Sequence, residues 1–361
     1  MDYSLDRLLT VAAGRGASDV HLTVGLPPQV RIEGKWTPVG NALLTPEDCR
    51  ALAEAILGTQ RAAQFMALLE YDSSYVLPGV GSFRVNCFVQ RGSIGIAIRL
   101  LPPETPRFAE LGLPVATMEA LCELPHGLVL VSGPTGSGKS TTLAAMVGHI
   151  NRTRRSHIIT IEDPIEYMHR HEKSIVNQRE VGSDTKSFAM AMKHALRQQP
   201  DVILVGEIRD PETVRTAIML AETGHLLLTT IHTGEVAQGL TRLVDMFPAE
   251  QQSEIRVSLS LILRTMIVQQ LLPSRHEDGR RVLAVEILLI SAAAQNLIRS
   301  GKFEQLYSLL QTQQEAGMRT MNQSLLELWQ KGSISRDTAL AKSSKAAELE
   351  TLMDHASRSR R

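Results

Sequence analysis

Eight residues, Gly133-Pro134-Thr135-Gly136-Ser137-Gly138-Lys139-Ser140, fit the spacing G-x-x-x-x-G-K-[ST]. Glycines without a Cβ let main-chain N–H groups converge on phosphate, and a helix opening near Lys139 adds the partial positive charge of its N-terminus. In this pattern the lysine reaches the β- and γ-phosphates and Ser140 ligates Mg²⁺. Gly133 to Thr141 is therefore the candidate site for ATP and Mg²⁺. Downstream, ITIEDPIE places Glu162, Asp163 and Glu166 at the end of a strand, where a carboxylate can orient or deprotonate an attacking water. Val202 to Glu207 reads as a buried strand ending in a carboxylate. Gly206 stands where such enzymes commonly carry Asp, and Asp201 at the strand's start is too far away. Glu207 then acts on the metal through a bound water or is a second candidate base.

His225 and His232 bracket LLLTTI, seven residues apart. A regular strand would put them on opposite faces. His232, at the carboxyl end, is the better candidate for sensing the γ-phosphate, while His225 reads equally well as structural. Phosphoryl transfer gains on the order of 10³–10⁵ in rate from an arginine on the transferred group. The larger half offers Arg209, but no arginine that sequence alone places on that phosphate. Arg84, Arg91 and Arg99 lie on two paired strands of the N-terminal module and could reach nucleotide from the same or a neighbouring subunit.

These groups need a frame. Leu128 to Ser132, His157 to Ile161, Asp201 to Val205 and Leu226 to Ile231 are continuous apolar runs, as expected of strands covered on both faces. Helical periodicity alternates with them, in Phe188, Ala191, Met192, Ala195 and Leu196, and in a helix that Asp210-Pro211 caps and that ends before Gly224. This alternation predicts an α/β, doubly wound parallel sheet. Ligands then collect beyond the carboxyl ends of the strands, which is where the acids and His232 fall. From about Ser291 the pattern is helical and more polar.

Residues 1–100 read as an α+β module. It opens with a short amphipathic helix and continues with a strand at Val30-Arg31-Ile32 turning at Glu33-Gly34. A helix is started by Thr45-Pro46-Glu47-Asp48, and strands over 82–90 and 94–100 flank Arg91-Gly92-Ser93. Three prolines in Leu101-Pro102-Pro103-Glu104-Thr105-Pro106 resist helix and sheet, so 101–108 is the expected linker and 109–361 the second domain. The tail from Ser357 to Arg361 reads as frayed.

Composition narrows the classes. The 361 residues carry 38 basic and 38 acidic side chains, and aromatics are 4%. Neither the charge nor the aromatic content supports nucleic-acid binding. Cys49, Cys87 and Cys122 form no CxxC pair, so no zinc site or disulfide framework is expected. No apolar run approaches the ~18 residues of a membrane span. A cytoplasmic protein without membrane insertion is expected, its membrane association coming through a partner.

Taken together, GPTGSGKSTTLAAM, ITIEDPIEY, DVILVGEIRD and TGHLLLTTIHT resemble the Walker A, Asp box, Walker B and His box of the secretion ATPases. The chain resembles most the type IV pilus retraction ATPases of the PilT type. Supporting stretches are 16–22 (GASDVHL), 83–86 (FRVN), 176–180 (VNQRE), 244–248 (VDMFP) and 317–320 (GMRT). The resemblance implies a homo-hexamer of subunits, each with an N-terminal PAS-like domain and a RecA-like P-loop core. It implies ATP between the domains, a platform protein of the inner membrane as partner, and peripheral association with that membrane through the pilus machinery. Arg84 and Arg99 match the family's site arginines and Arg91 matches less securely. Glu162 matches its proposed water-activating acid and Glu207 its Walker B glutamate. Extension and type II secretion ATPases usually carry a tetracysteine zinc element and a longer N-terminal region, neither of which is read here. Two departures stand out. The family's AIRNLIRE motif reads AAQNLIRS over 293–300, differing at three of eight positions, and Gln199 stands where an acid commonly precedes Pro-Asp. An accessory or regulatory pilus-assembly ATPase is the first alternative, and a nucleic-acid translocase on the same core, against which charge and aromatic content speak, is the second.

Overall fold

The computed structural model describes residues 4–102, 104–275 and 281–358, without the side chain of Gln60. Pro103 of the linker and Ser359 to Arg361 of the tail lie outside the described residues. Ser357 and Arg358 of that tail are helical rather than frayed. The described chain forms two compact units, one holding the segments up to Thr105 and the other beginning at Pro106. Two later segments, Asp163–His169 and Glu180–Asp184, group with the first unit. The contiguous ranges read from the sequence contain no such exchange.

The first unit is built from α1 (Leu5–Gly14), β1 (Asp19–Leu22), β2 (Gln29–Ile32), β3 (Lys35–Pro38), α2 (Pro46–Leu68), β4 (Glu70–Leu77), β5 (Gly81–Gln90) and β6 (Ser93–Leu100). Its six-stranded sheet runs β3-β2-β1-β6-β5-β4, antiparallel throughout. Two-residue turns at Glu33-Gly34 (φ 48° and 81°) and Arg91-Gly92 (φ 48° and 76°) close the hairpins. Positive φ at both central residues matches the twist of the flanking strands. Helix α2 starts on a capping box between Thr45 and Asp48 and breaks at Gly58, where φ is 68°. Val20, Leu22, Phe83, Val85, Ile96 and Ile98 alternate onto one face and form the core.

The second unit holds α3 (Val115–Cys122), β7 (Gly127–Ser132), α4 (Lys139–Thr153), β8 (His157–Glu162), β9 (Ile175–Glu180), α5 (Phe188–Ala195), β10 (Val202–Val205) and α6 (Pro211–Glu222). It continues through β11 (Leu226–Ile231), α7 (Val236–Asp245), α8 (Ala249–Ile262), β12 (Leu263–Pro273) and β13 (Arg281–Leu289). It ends in α9 (Ala292–Arg299), α10 (Leu306–Thr312), α11 (Met321–Gln330), α12 (Arg336–Lys342) and α13 (Ala346–Arg358). The sheet order is β13-β12-β7-β11-β10-β8-β9. Strands β12, β7, β11, β10 and β8 are mutually parallel, and β13 pairs antiparallel with β12. Every residue of β7, β10 and β11 is buried, as apolar runs covered on both faces require. The loops carrying the candidate residues therefore leave one edge of this sheet, at the carboxyl ends of β7, β8, β10 and β11.

Candidate nucleotide site

Strand β7 ends at Ser132 and α4 begins at Lys139, so the glycine-rich run is the whole connection between them. Gly133, Gly136 and Gly138 all have φ between 77° and 144°. At Gly133 a Cβ would also sit 2.4 Å from the main-chain oxygen of Gln269 on β12, so no larger residue fits. Beneath the first turn of α4, Gln269 Nε2 donates to Thr142 Oγ1 at 2.7 Å. Ser137 Oγ is buried without a hydrogen-bond partner inside the loop. Pro134, Thr135, Gly136 and Ser140 are exposed along its outer side.

Lys139 is buried, and its Nζ donates to the carbonyls of Gly133 (2.8 Å) and Pro134 (3.0 Å). Nζ also lies 3.3 Å from His232 Nδ1, while His232 Nε2 lies 3.1 Å from Glu207 Oε2. An ammonium group can only donate, so Nδ1 accepts and Nε2 carries the hydrogen toward Glu207. Glu207 Oε1 is paired with Arg209. One line of contacts thus runs from the loop carbonyls through Lys139, His232 and Glu207 to Arg209. Glu207 is two residues beyond the end of β10 rather than its last residue. Gly206 makes the intervening step, its N–H bonded to Ile161 of β8 at 2.8 Å. A cleft of about 570 Å³ opens beside this line, with Thr135, Ile208, Arg209, His232 and Arg242 in its walls.

Glu162 is the last residue of β8. Thr160, two residues earlier on the same strand face, donates to its Oε1 at 2.6 Å, and Gln178 Nε2 from β9 lies 3.3 Å from the same oxygen. Asp163 and Glu166 belong to the segment that packs with the first unit. There the N–H of Ile165 donates to Glu180.

The two histidines separate by position rather than by strand face, because neither belongs to β11. His225 precedes it, with Nδ1 2.9 Å from the Leu220 carbonyl and 3.1 Å from Thr223 Oγ1, a local fastening of the α6–β11 turn. His232 follows it, roughly 20 Å further along at strand rise.

In the first unit, register places Arg31, Asp19, Arg99, Arg84 and Ser74 in one row across β2, β1, β6, β5 and β4. Arg99 Nε pairs with Asp19 Oδ1 at 3.1 Å, its side chain 67% exposed. Arg84 and Arg99 are direct cross-strand neighbours, a like-charge pairing that favours an anion. Arg91 is at the hairpin turn, seven residues from Arg84 along β5 and outside that row.

Four fastenings escaped sequence reasoning: Thr160 and Gln178 on Glu162, Ser132 on Thr233, Gln269 on Thr142, and Glu286 on two helix starts. Two of these leave a trace in the sequence: Thr160 stands two residues before Glu162, at the strand period, and Glu286 is the one charge in the apolar run VLAVEILL.

The type II/IV secretion system protein family matches residues 79–348. The chain belongs to that family. A Pseudomonas aeruginosa relative, "Type IV pilus retractation ATPase PilT", is 45% identical over 338 residues, which is 94% of this chain and 97% of the relative. "Type IV pilus ATPase PilU" of the same organism is 40% identical over 348 residues, 96% of this chain and 91% of the relative. A crystal structure described as the pilus retraction motor PilT with bound ADP superposes with a TM-score of 0.89 at 48% identity, covering 97% of this chain and 99% of that one. The secretion-family chain therefore has a RecA-like P-loop core with a smaller PAS-like N-terminal unit, and it is an ATPase.

Among the described residues, no group of three or more His, Cys, Asp or Glu is placed to hold a metal, and no helix is long and apolar enough to cross a membrane. The three cysteines are buried free thiols. Burial pushes Cys49 up to about 11 and Cys87 and Cys122 up to about 12.

Proposed function

We propose that this chain is a Mg²⁺-dependent ATPase motor that powers type IV pilus retraction, acting as a homo-hexamer against a platform protein of the inner membrane. The observation that carries the reading is the line Lys139–His232–Glu207–Arg209 at the carboxyl edge of the sheet, in a chain alike over nearly its whole length to a pilus ATPase. Lys139 exchanges the carbonyls of Gly133 and Pro134 for β- and γ-phosphate oxygens, and the loop N–H groups cradle the rest. His232, losing its donor when Lys139 moves, reports phosphate occupancy to Glu207. Glu162, steadied by Thr160, takes the proton of the attacking water. Glu207, with both oxygens engaged, organises His232 and meets the metal through water.

The residues fit a Mg²⁺ ion held mainly by phosphate and water: Ser140 is exposed at the helix start, and among the described residues no all-protein cage accompanies it. Bound there, the ion would neutralise charge on the β- and γ-oxygens. Arg84 and Arg99, of the same or a neighbouring subunit, complete the site, and closure over nucleotide couples hydrolysis to motion.

The test is a deletion strain complemented with the wild-type chain or with Lys139→Ala or Glu207→Gln, alongside phosphate release by the purified proteins. The reading expects excess surface pili and lost twitching in the deletion, rescue by wild type alone, and turnover lost in both variants. Wild-type turnover in both would refute the site. Bald cells would reassign the motor to extension. Normal piliation and twitching would support the accessory role, for which the altered 293–300 segment speaks.

A further inference from the structure

His232 stands on the turn between β11 and α7, and three residues of the second unit hold that turn. Ser132, the last residue of β7, donates to the Thr233 carbonyl at 2.8 Å and accepts the Thr233 N–H at 3.0 Å. Arg242 of α7 donates to the His232 carbonyl at 2.9 Å. The far end of the turn rests on Glu286 of β13, whose Oε1 accepts the N–H of Val236, the first residue of α7, at 2.9 Å.

Glu286 is only 4% exposed, and its other oxygen accepts the N–H of Met321, the first residue of α11, at 3.3 Å. One buried carboxylate thus serves two helix N-termini, each carrying partial positive charge. Burial pushes its carboxyl upward, and the two N–H groups pull the other way. The helices differ in their need of it. Helix α11 has its own capping box, Thr320 with Gln323. Helix α7 has none, since Glu235 at its N-cap makes no side-chain cap bond. At α11 Glu286 adds to a cap already present, whereas at α7 it supplies the side-chain acceptor that Glu235 does not.

We propose that Glu286 is a positioning residue for ATP hydrolysis: it fixes the turn that presents His232 and ties that turn to α11 of the C-terminal helical region. The proposal rests on the reading of His232 as the group answering to the phosphate and Lys139. Its effect should fall on turnover, because the loop that binds nucleotide is fastened elsewhere, by Gln269 and its own carbonyls.

The test uses the full chain with Mg²⁺ and ATP. Glu286→Gln keeps the side-chain shape but offers one acceptor oxygen in place of two. Loss of a bond to a charged acceptor predicts a fall in kcat of about tenfold, with KM and affinity for a fluorescent ADP analogue within about twofold. Val236→Pro removes the donor instead and leaves Glu286 intact. Proline suits the first helical position, and Glu235 before it is already extended (φ −144°, ψ 153°). It should reproduce the loss, and it serves alone if Glu286→Gln does not fold. In a His232→Ala background, Glu286→Gln should cost nothing further.

Wild-type kcat in either folded variant, beside an impaired His232→Ala, overturns this proposal and leaves the site reading standing. A double variant that loses the product of the two single effects also overturns it. Wild-type turnover in His232→Ala itself removes the reading of His232 and this inference together.

Discussion

Replacing Thr160 with valine should separate the presence of the Glu162 carboxylate from its aim. Thr160 is fully buried in β8, so the methyl of valine takes the place of the hydroxyl without opening a cavity. What disappears is the 2.6 Å bond to Glu162 Oε1; the 3.3 Å contact from Gln178 to the same oxygen is untouched. Hydrogen bonds to charged groups are worth about 1.5–3 kcal/mol, and each 1.4 kcal/mol on a barrier is about tenfold. If that energy goes into holding Glu162 toward water, kcat falls about 10- to 100-fold while KM changes little. Glu162→Gln, which keeps the contact but removes the base, should fall further, by about 10²–10⁴. Phosphate release across an ATP series, with melting curves for both variants, gives the comparison. Thr160→Val turning over at the wild-type rate while Glu162→Gln is inactive would refute the claim that Thr160 sets the aim. Wild-type rates in both would remove Glu162 from the chemistry.

The arginine row makes a graded prediction. Arg84→Ala and Arg99→Ala should each lower kcat/KM at least tenfold, and Arg91→Ala, at the hairpin turn, should stay within about twofold. Because the Arg99–Asp19 pair is largely exposed, Arg99→Ala should cost about 1 kcal/mol of stability or less in chemical denaturation. Equal effects at all three positions would dissolve the distinction. The cysteines predict a pH response. Their native thiols stay protonated until about pH 11–12, whereas in the unfolded chain they ionise near the ordinary thiol value of 9.0. Their contribution to stability is thus complete below pH 9 and is lost as pH rises toward 12. A thiol reagent at pH 8 should label native protein far more slowly than protein in denaturant, and rapid native labelling would contradict the burial.

The legible parts of the sequence are those whose physics is local. The phosphate loop is written in glycines that must adopt positive φ between an apolar strand and a helix. The hairpins announce themselves at Glu33-Gly34 and Arg91-Gly92, and the start of α2 at Thr45 with Asp48 three residues on. Strands β9, β12 and β13 were not visible. LRTMIVQQLLP follows α8 without a break residue, so its apolar run reads as more helix, and only pairing with β7 decides that it is a strand. Site orientation was equally hidden. Thr160 beside Glu162 could be suspected from the two-residue strand period, but Ser132 with Thr233 and Glu286 with Val236 join residues far apart in the chain. Opposite strand faces for His225 and His232 require a strand that contains both, whereas β11 stops short of each.

The small unit is not one uninterrupted piece of chain. It collects the stretch ending at Thr105 and then, from within the larger sequence, Asp163–His169 and Glu180–Asp184. Recombination between relatives at the proline-rich stretch after Leu100 would join one parent's N-terminal sheet to the other parent's two inserted segments. A crossover there therefore does not exchange the small unit as a whole. The segment that follows Glu162 belongs to a unit whose sheet ends more than fifty residues before it.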